Sequence, residues 1–131
     1  IPKGSGQKES RRAPSLVKNA SQSKRKGFQA EAAAGAFLRG KGFRILERNY
    51  RSKTGEIDLI AEKGGQLHFV EVRFRADPKD CSPQETVTPA KLRRIRMTAA
   101  CYLQQKGLYQ KGAQIDVIAI SPGKIHWIPD V

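Results

Sequence analysis

The chain has 131 residues, enough for one domain and too few for a second catalytic one. Lys and Arg number 25 against 12 Asp and Glu, a net charge of +13 with a pI near 10.2. That balance is far from an ordinary soluble enzyme and makes a polyanionic partner the first expectation. No apolar run approaches the roughly 18 residues that cross a bilayer, and none follows the basic residues as in a signal peptide, so no membrane partner and a cytoplasmic location are expected. Cys81 and Cys101 form no CxxC pair, and neither His68 nor His126 falls at a zinc-ligand spacing. Unpaired thiols in a reducing compartment are the expectation.

Residues 1–26 hold eight basic residues and one acid, Glu9, so this fifth of the chain carries +7 and the other 105 residues +6. Ser-rich and almost without large apolar side chains, the stretch reads as a disordered basic arm ahead of a folded domain over 27–131. Residues 28–39 place Ala30, Ala33, Ala34 and Phe37 at helical spacing and stop at Gly40-Lys41-Gly42, which predicts a helix. Strands are predicted over 43–48 and 56–61, with a turn over 49–55 between them. A hairpin turn at Lys63-Gly64-Gly65 leads into a third strand, 66–74, apolar on both faces and so expected in the middle of a covered sheet. Residues 75–85 read as a loop. Thr88 caps and Pro89 opens a second helix, with Leu92, Ile95, Ala99, Tyr102 and Leu103 facing inward and Gly107 at its end. Two more strands, 114–120 and 124–128, follow a βα unit. The order α-β-β-β-α-β-β predicts an α/β domain with a central, mixed five-stranded sheet flanked by helices.

Two of these strands carry acids where apolar residues are expected. Period two puts Glu56 and Asp58 on one face of the second strand, with Ile57 and Leu59 on the other. In the third strand Leu67, Phe69, Glu71 and Arg73 share a face. A hairpin would bring Asp58 and Glu71 together across the ladder, where like charges repel, so something positive has to offset them. The two candidates are a divalent cation, for which converging carboxylates are the preferred oxygen ligands, and Arg73 pairing Glu71.

Asp58 followed by Glu71-Val72-Arg73 resembles the D...(E/D)xK signature of the PD-(D/E)xK, or restriction-endonuclease-like, nuclease superfamily, whose core order is αβββαβ. More narrowly, Gly55-Glu56-Ile57-Asp58-Leu59-Ile60-Ala61, Phe69-Val70-Glu71-Val72-Arg73, Arg48-Asn49-Tyr50-Arg51 and Lys91 resemble the YraN family of uncharacterised bacterial proteins (uncharacterised protein family 0102), over about residues 27–120. The resemblance implies a metal-dependent endonuclease that hydrolyses DNA phosphodiesters, or a catalytically inactive nucleic-acid-binding module of the same fold. It implies Mg2+ or Mn2+ held by Asp58, Glu71 and the Val72 carbonyl, with Glu31 as an additional ligand or water holder, and it is compatible with a homodimer. Glu56 could orient a water, though a surface role is the commoner fate of such a residue.

The departure from the superfamily pattern is Arg73, where Lys is usual. A guanidinium stays charged at any useful pH and cannot take up a proton, but it can hold a phosphate oxygen. Lys91, at the start of the second helix, is the candidate for the missing ammonium. Around the acids lie Arg48, Arg51 and Lys53 before the Gly55–Ala61 block, Arg75 after the third strand, and Arg93, Arg94 and Arg96 on the second helix. Such basic clusters are what a phosphate backbone requires, with DNA favoured over RNA as the partner. No Gly-rich phosphate loop and no Ser/His/Asp or Cys/His set is present. Tyr50 and Trp127 could stack on bases, but core or rim positions are expected of them.

Overall fold

A computed structural model describes residues 20–75, 87–108 and 111–131, with side chains from residue 29 onward. Most of the expected arm, and most of the loop predicted over 75–85 with Cys81, lie outside the described residues. The elements run α1 (Ala20–Gly40), β1 (Arg44–Ser52), β2 (Gly55–Lys63), β3 (Gln66–Phe74), α2 (Pro89–Lys106), β4 (Gly112–Ser121) and β5 (Lys124–Ile128). This is an α/β fold with one mixed sheet in the order β1-β2-β3-β4-β5. All neighbours are antiparallel except β3 and β4, whose parallel pairing requires α2 as the crossover.

The third strand takes the central place its apolar sequence demands. Leu67, Phe69 and Val70 are at most 1% exposed, because each face of β3 is covered by a different helix. On one face Ile57, Ile60, Leu67, Phe69 and Ile115 pack against Ile95, Ala99 and Tyr102 of α2. On the other, Leu59, Ala61, Val70 and Ile118 pack against Ala34 and Leu38 of α1 and against Phe43. Tyr50 and Trp127 pack on these two cores, Tyr50 donating to Gln105 Oε1 at 2.7 Å.

Local signals set the boundaries of α2. The Thr88 side chain accepts from the Lys91 N–H at 3.1 Å, Pro89 occupies the first turn, and Gly107 closes the helix at φ 65°. The β2–β3 hairpin turns on Gly64 and Gly65, both at positive φ as a two-residue turn of this hand requires.

Three expectations are corrected. Helix α1 starts at Ala20, ahead of the expected Phe28, because no proline interrupts 20–28 and Gly27 is tolerated, while the scarcity of large apolar residues hides the period. Strand β1 continues to Ser52 through residues expected to turn. It is an edge strand, which tolerates the charged and polar sequence Arg48-Asn49-Tyr50-Arg51. Ile57 and Leu59 do not share a face, since Ile57 belongs to the α2 core and Leu59 to the α1 core. The alternation slips at Asp58, one residue beyond Leu59↔Val70, the last β2–β3 pair.

Candidate active site

The ends of β2 and β3 part at this slip, and the acids collect there. Asp58 follows the last paired residue of the ladder, and its side chain replaces the lost backbone partner: the Val72 N–H donates to Asp58 Oδ2 at 2.7 Å. Among the described residues this is the one hydrogen bond to the Asp58 carboxylate, and Oδ1 receives none. The contact of Val72, expected to offer its carbonyl, with Asp58 runs through its amide.

Glu71 lies beside it, only 5% exposed. Its Oε2 meets Arg73 Nη1 at 3.3 Å and Lys91 Nζ at 3.5 Å. Lys91 reaches Glu71 because the first turns of α2 dock against the β1–β2 turn. There Thr54 Oγ1 and Thr98 Oγ1 are hydrogen-bonded at 2.8 Å, while Thr98 Oγ1 also donates to the Arg94 carbonyl at 2.9 Å. Thr98 is fully buried, a polar member of the α2 stripe that apolar spacing alone does not reveal.

The electrostatics of Asp58 follow from this crowding. Burial, and then the negative charges of Glu71, Glu31 and Glu56, push its pKa up to about 7, against the partial relief of the Val72 hydrogen bond. No cation is among these influences. Arg73 and Lys91 pair with Glu71, and among the described residues no cation lies within 4 Å of the Asp58 carboxylate. Glu31 projects from α1 toward the same end of the sheet and is likewise raised, mainly by burial. It is held by Asn49, whose amide nitrogen, with the side-chain O and N exchanged, donates to Glu31 Oε1 at 3.2 Å and Oε2 at 3.3 Å. Asn49 adopts φ 53° within β1, level with Asp58 between the Arg48↔Leu59 and Tyr50↔Ile57 pairs. The only advance sign of this role is the residue type, since Asn tolerates the left-handed region. Glu56 is exposed, 3.7 Å from Arg51 Nε, in keeping with a surface role.

The donor set suits a hard divalent cation. It consists of carboxylate oxygens, partly buried and mutually repelling, with Asp58 Oδ1 and Glu71 Oε1 left without partners among the described residues. Among the described residues no three His, Cys, Asp or Glu side chains close into a metal cage, so Glu31 stands outside direct chelation as arranged. Two protein carboxylates, with water and substrate oxygens for the remaining positions, match the way Mg2+ is usually held.

Of the basic residues, Arg48, Arg51 and Lys53 are exposed around the β1–β2 turn and Arg93 and Arg94 along the first turns of α2, at the carboxylate end of the sheet. Arg75 follows β3 there, its backbone N–H donating to the Ile120 carbonyl at 2.7 Å. Arg96 stands apart: it lines a separate groove of about 330 Å³ with Leu103, Ala113 and Val131. The far end of the sheet carries no comparable excess of acid. Its Glu62 is bound by Lys111 and Arg44, whose hydrogen bonds hold it below the usual carboxylate range.

Residues 30–120, from α1 through β4, match Uncharacterised protein family UPF0102. The chain is 47% identical over 107 residues to a UPF0102 protein of Hahella chejuensis, covering 79% of this chain and 86% of that one. It is 45% identical over 97 residues to one of Moorella thermoacetica, covering 74% and 81%. The chain belongs to this family. The UPF0102 match takes in Glu31, Asn49, Asp58, Glu71, Arg73 and Lys91, so the whole carboxylate cluster lies within the family's own domain. Among the described residues of this UPF0102 protein, no helix is long and apolar enough to cross a membrane.

The raised Asp58 has a consequence for stability. A carboxyl whose folded pKa lies above its usual 3.8 favours folding fully below that value, and the contribution is lost as pH rises through about 7. In metal-free protein this amounts to on the order of 3 kcal/mol between pH 4 and pH 8. Asp58→Asn removes the ionisation, so at pH 8 the variant is expected to melt roughly 10 to 20 °C above wild type, with the gap gone at pH 4. Melting curves with a chelator present decide it; a variant no more stable than wild type at pH 8 would show that the Asp58 charge is not buried at a cost.

Proposed function

We propose that this protein is a DNA-binding phosphodiesterase, an endonuclease of restriction-endonuclease-like architecture that works with Mg2+ or Mn2+ at Asp58 and Glu71. The observation that carries this reading is Asp58 itself: a partly buried carboxylate, crowded by three others and paired with no cation among the described residues, where β2 parts from the central strand β3 and exposed Arg and Lys lie around it. Such an arrangement is unfavourable in the isolated protein and becomes favourable with a divalent cation and a phosphate present. The order α-β-β-β-α-β-β, with the acids on β2 and β3, supports the architecture.

A bound Mg2+ or Mn2+ would supply Lewis-acid stabilisation of charge on the scissile phosphate. The protein's own groups do the rest. The Val72 N–H fixes the Asp58 carboxylate, and Arg73 and Lys91 hold Glu71 from two sides. Arg73 remains charged throughout, so its part is to steady Glu71 and a phosphate oxygen and not to move a proton. Lys91 provides the compact ammonium that the third strand lacks. Glu31, steadied by Asn49, is set to hold a water by hydrogen bonding. Arg48, Arg51, Lys53, Arg75, Arg93 and Arg94 attract the phosphate backbone toward this end of the sheet.

The test is a panel of duplex, single-stranded, flapped and junction DNA, with RNA alongside, incubated with Mg2+ or Mn2+. At least one DNA form is expected to be cut, with cutting stopped by chelator. The pairing of Arg73 with Glu71 also favours a second reading, a binding module of the same fold without chemistry. DNA binding that stays salt-sensitive and unchanged by Asp58→Asn, on a panel that remains intact, would select it.

A further inference from the structure

Helix α1 carries a glycine at position 35, in the helix interior, where glycine is unfavourable by about 1 kcal/mol relative to alanine. Gly35 is buried, and what covers it is charge. A Cβ at this position would lie 3.4 Å from Arg48 Nη1, 3.5 Å from Arg48 Nη2 and 3.7 Å from Arg39 Nη1. The two guanidiniums thus come within about 7 Å of each other over a bare stretch of helix backbone. Among the described residues neither has a carboxylate within 4 Å. The nearby Glu31 is engaged by Asn49, and Glu47 faces Lys106 of the other helix at 3.9 Å. Two like charges converge here, and the Glu31 carboxylate, which lines the same pocket and attracts Arg48, offsets them without pairing either within 4 Å.

The surrounding shape is open along one direction. Arg39 and Arg48 line a pocket of about 260 Å³ with Glu31, Ala32 and Asn49, and also a groove of about 630 Å³ that continues along the β1 edge past Phe43 and Leu46. One end of this track is therefore the Glu31–Asn49 pair beside Asp58. The eight residues from Arg39 back to Glu31 span about 12 Å of helix. Guanidiniums are planar forks of donors that match phosphate oxygens, and an anion between two of them relieves their repulsion while gaining charge-assisted hydrogen bonds.

We infer that Arg39 and Arg48 form a phosphate cradle over Gly35, which holds a backbone phosphate of a nucleic-acid strand running along the α1–β1 groove toward the carboxylate cluster. The identity of the polymer rests on the proposed function; the anion site rests on the guanidinium geometry alone. Arg39 is new to the site, since its place at the end of α1 gives it the look of an ordinary last-turn base.

The experiment measures binding of a fluorescein-labelled single-stranded 12-mer DNA across a salt series. Variants Arg39→Ala, Arg48→Ala and the double variant are compared with Arg96→Ala, which lines the separate groove beside α2. All three arginines are exposed, so folding is retained and is checked by circular dichroism. Each cradle variant is expected to weaken binding about fivefold to tenfold and lower the salt slope by about one, while Arg96→Ala changes affinity less than twofold. In parallel, the arginine Nε–H signals of wild type are followed by NMR during titration with the 12-mer and with inorganic phosphate. Shifts of Arg39 and Arg48 with the 12-mer support the inference. Shifts with inorganic phosphate alone would make this a site for a free anion and overturn it, as would a double variant that binds like Arg96→Ala or a wild type that binds no DNA at low salt. Cleavage is scored separately: DNA cut by wild type but bound equally without the two arginines defeats the cradle and leaves the carboxylate reading standing. Cradle-dependent binding without cutting does the reverse.

Discussion

Asp116→Ala is expected to lower folding stability by on the order of 4 kcal/mol, a large share of what holds a domain of this size together. Asp116 is fully buried on β4 and takes four hydrogen bonds on its two oxygens. Oδ2 accepts from His68 Nδ1 at 2.7 Å and from Trp127 Nε1 at 3.2 Å, and Oδ1 accepts from Gln114 Nε2 at 2.8 Å and from the Asp130 N–H at 2.9 Å. One carboxylate therefore ties β3 and β5 to the segment after β5. Truncation strands four donors, two of them in rings packed edge-on against Phe43, at 4.8 Å for His68 and 6.0 Å for Trp127. Each unmet buried group costs about 1 to 3 kcal/mol, partly recovered where water enters. Asp116→Asn keeps the shape but turns one acceptor into a donor facing donors, so a smaller loss is expected. Urea unfolding measures both: the midpoint should fall with little change in slope. A loss under about 1 kcal/mol for the alanine variant would mean that the network does not carry the C-terminal strand.

The second large effect concerns chemistry. If Asp58 and Glu71 position a divalent cation, Glu71→Gln removes a charged ligand and leaves Arg73 and Lys91 facing a neutral amide. Several kcal/mol of transition-state stabilisation are at stake, so the cutting rate is expected to fall on the order of a thousandfold. Asp58→Asn should do the same while raising metal-free stability at pH 8. That opposition is diagnostic, because a residue whose loss stabilises the fold and abolishes the activity is held in place for function and not for structure. DNA affinity without metal should stay within a few-fold in both variants or rise, since each removes negative charge near the phosphate path. Single-turnover rates on the substrate cut fastest by wild type provide the measurement. Retention of a tenth or more of the rate by Glu71→Gln would remove that residue from the chemistry.

How far the sequence makes this legible depends on where information is stored. Thr88, Pro89 and Gly107 act within a few residues of themselves, so the bounds of α2 are readable. The apolar run at 66–74 likewise marks β3 as central. Asp58 and Glu71 stand out because acids interrupt strands that otherwise bury their side chains. What escapes a linear reading depends on tertiary placement. An edge strand needs no apolar alternation, so β1 looks like a turn after Arg48. The slip at Asp58, which sends Ile57 and Leu59 to opposite cores, arises from the parting of two strands and leaves no trace in the pattern. Asp116 sits in a hydrophobic strand much as Asp58 does, yet its four donors come from His68, Gln114, Trp127 and Asp130, and only the folded sheet distinguishes a satisfied acid from an unsatisfied one. The family match does not separate these two acids either, since both fall within residues 30–120.

The contrast between them is the core of the account. Asp116 is buried and accepts four hydrogen bonds, whereas Asp58 is partly buried and, among the described residues, accepts one. Titration of metal-free protein with Mn2+ at pH 8, followed by electron paramagnetic resonance of the free ion, tests this most directly. The account predicts one Mn2+ bound per wild-type chain and loss of that site in both Asp58→Asn and Glu71→Gln. Equal Mn2+ binding by wild type and the two variants, or none by wild type, would contradict it.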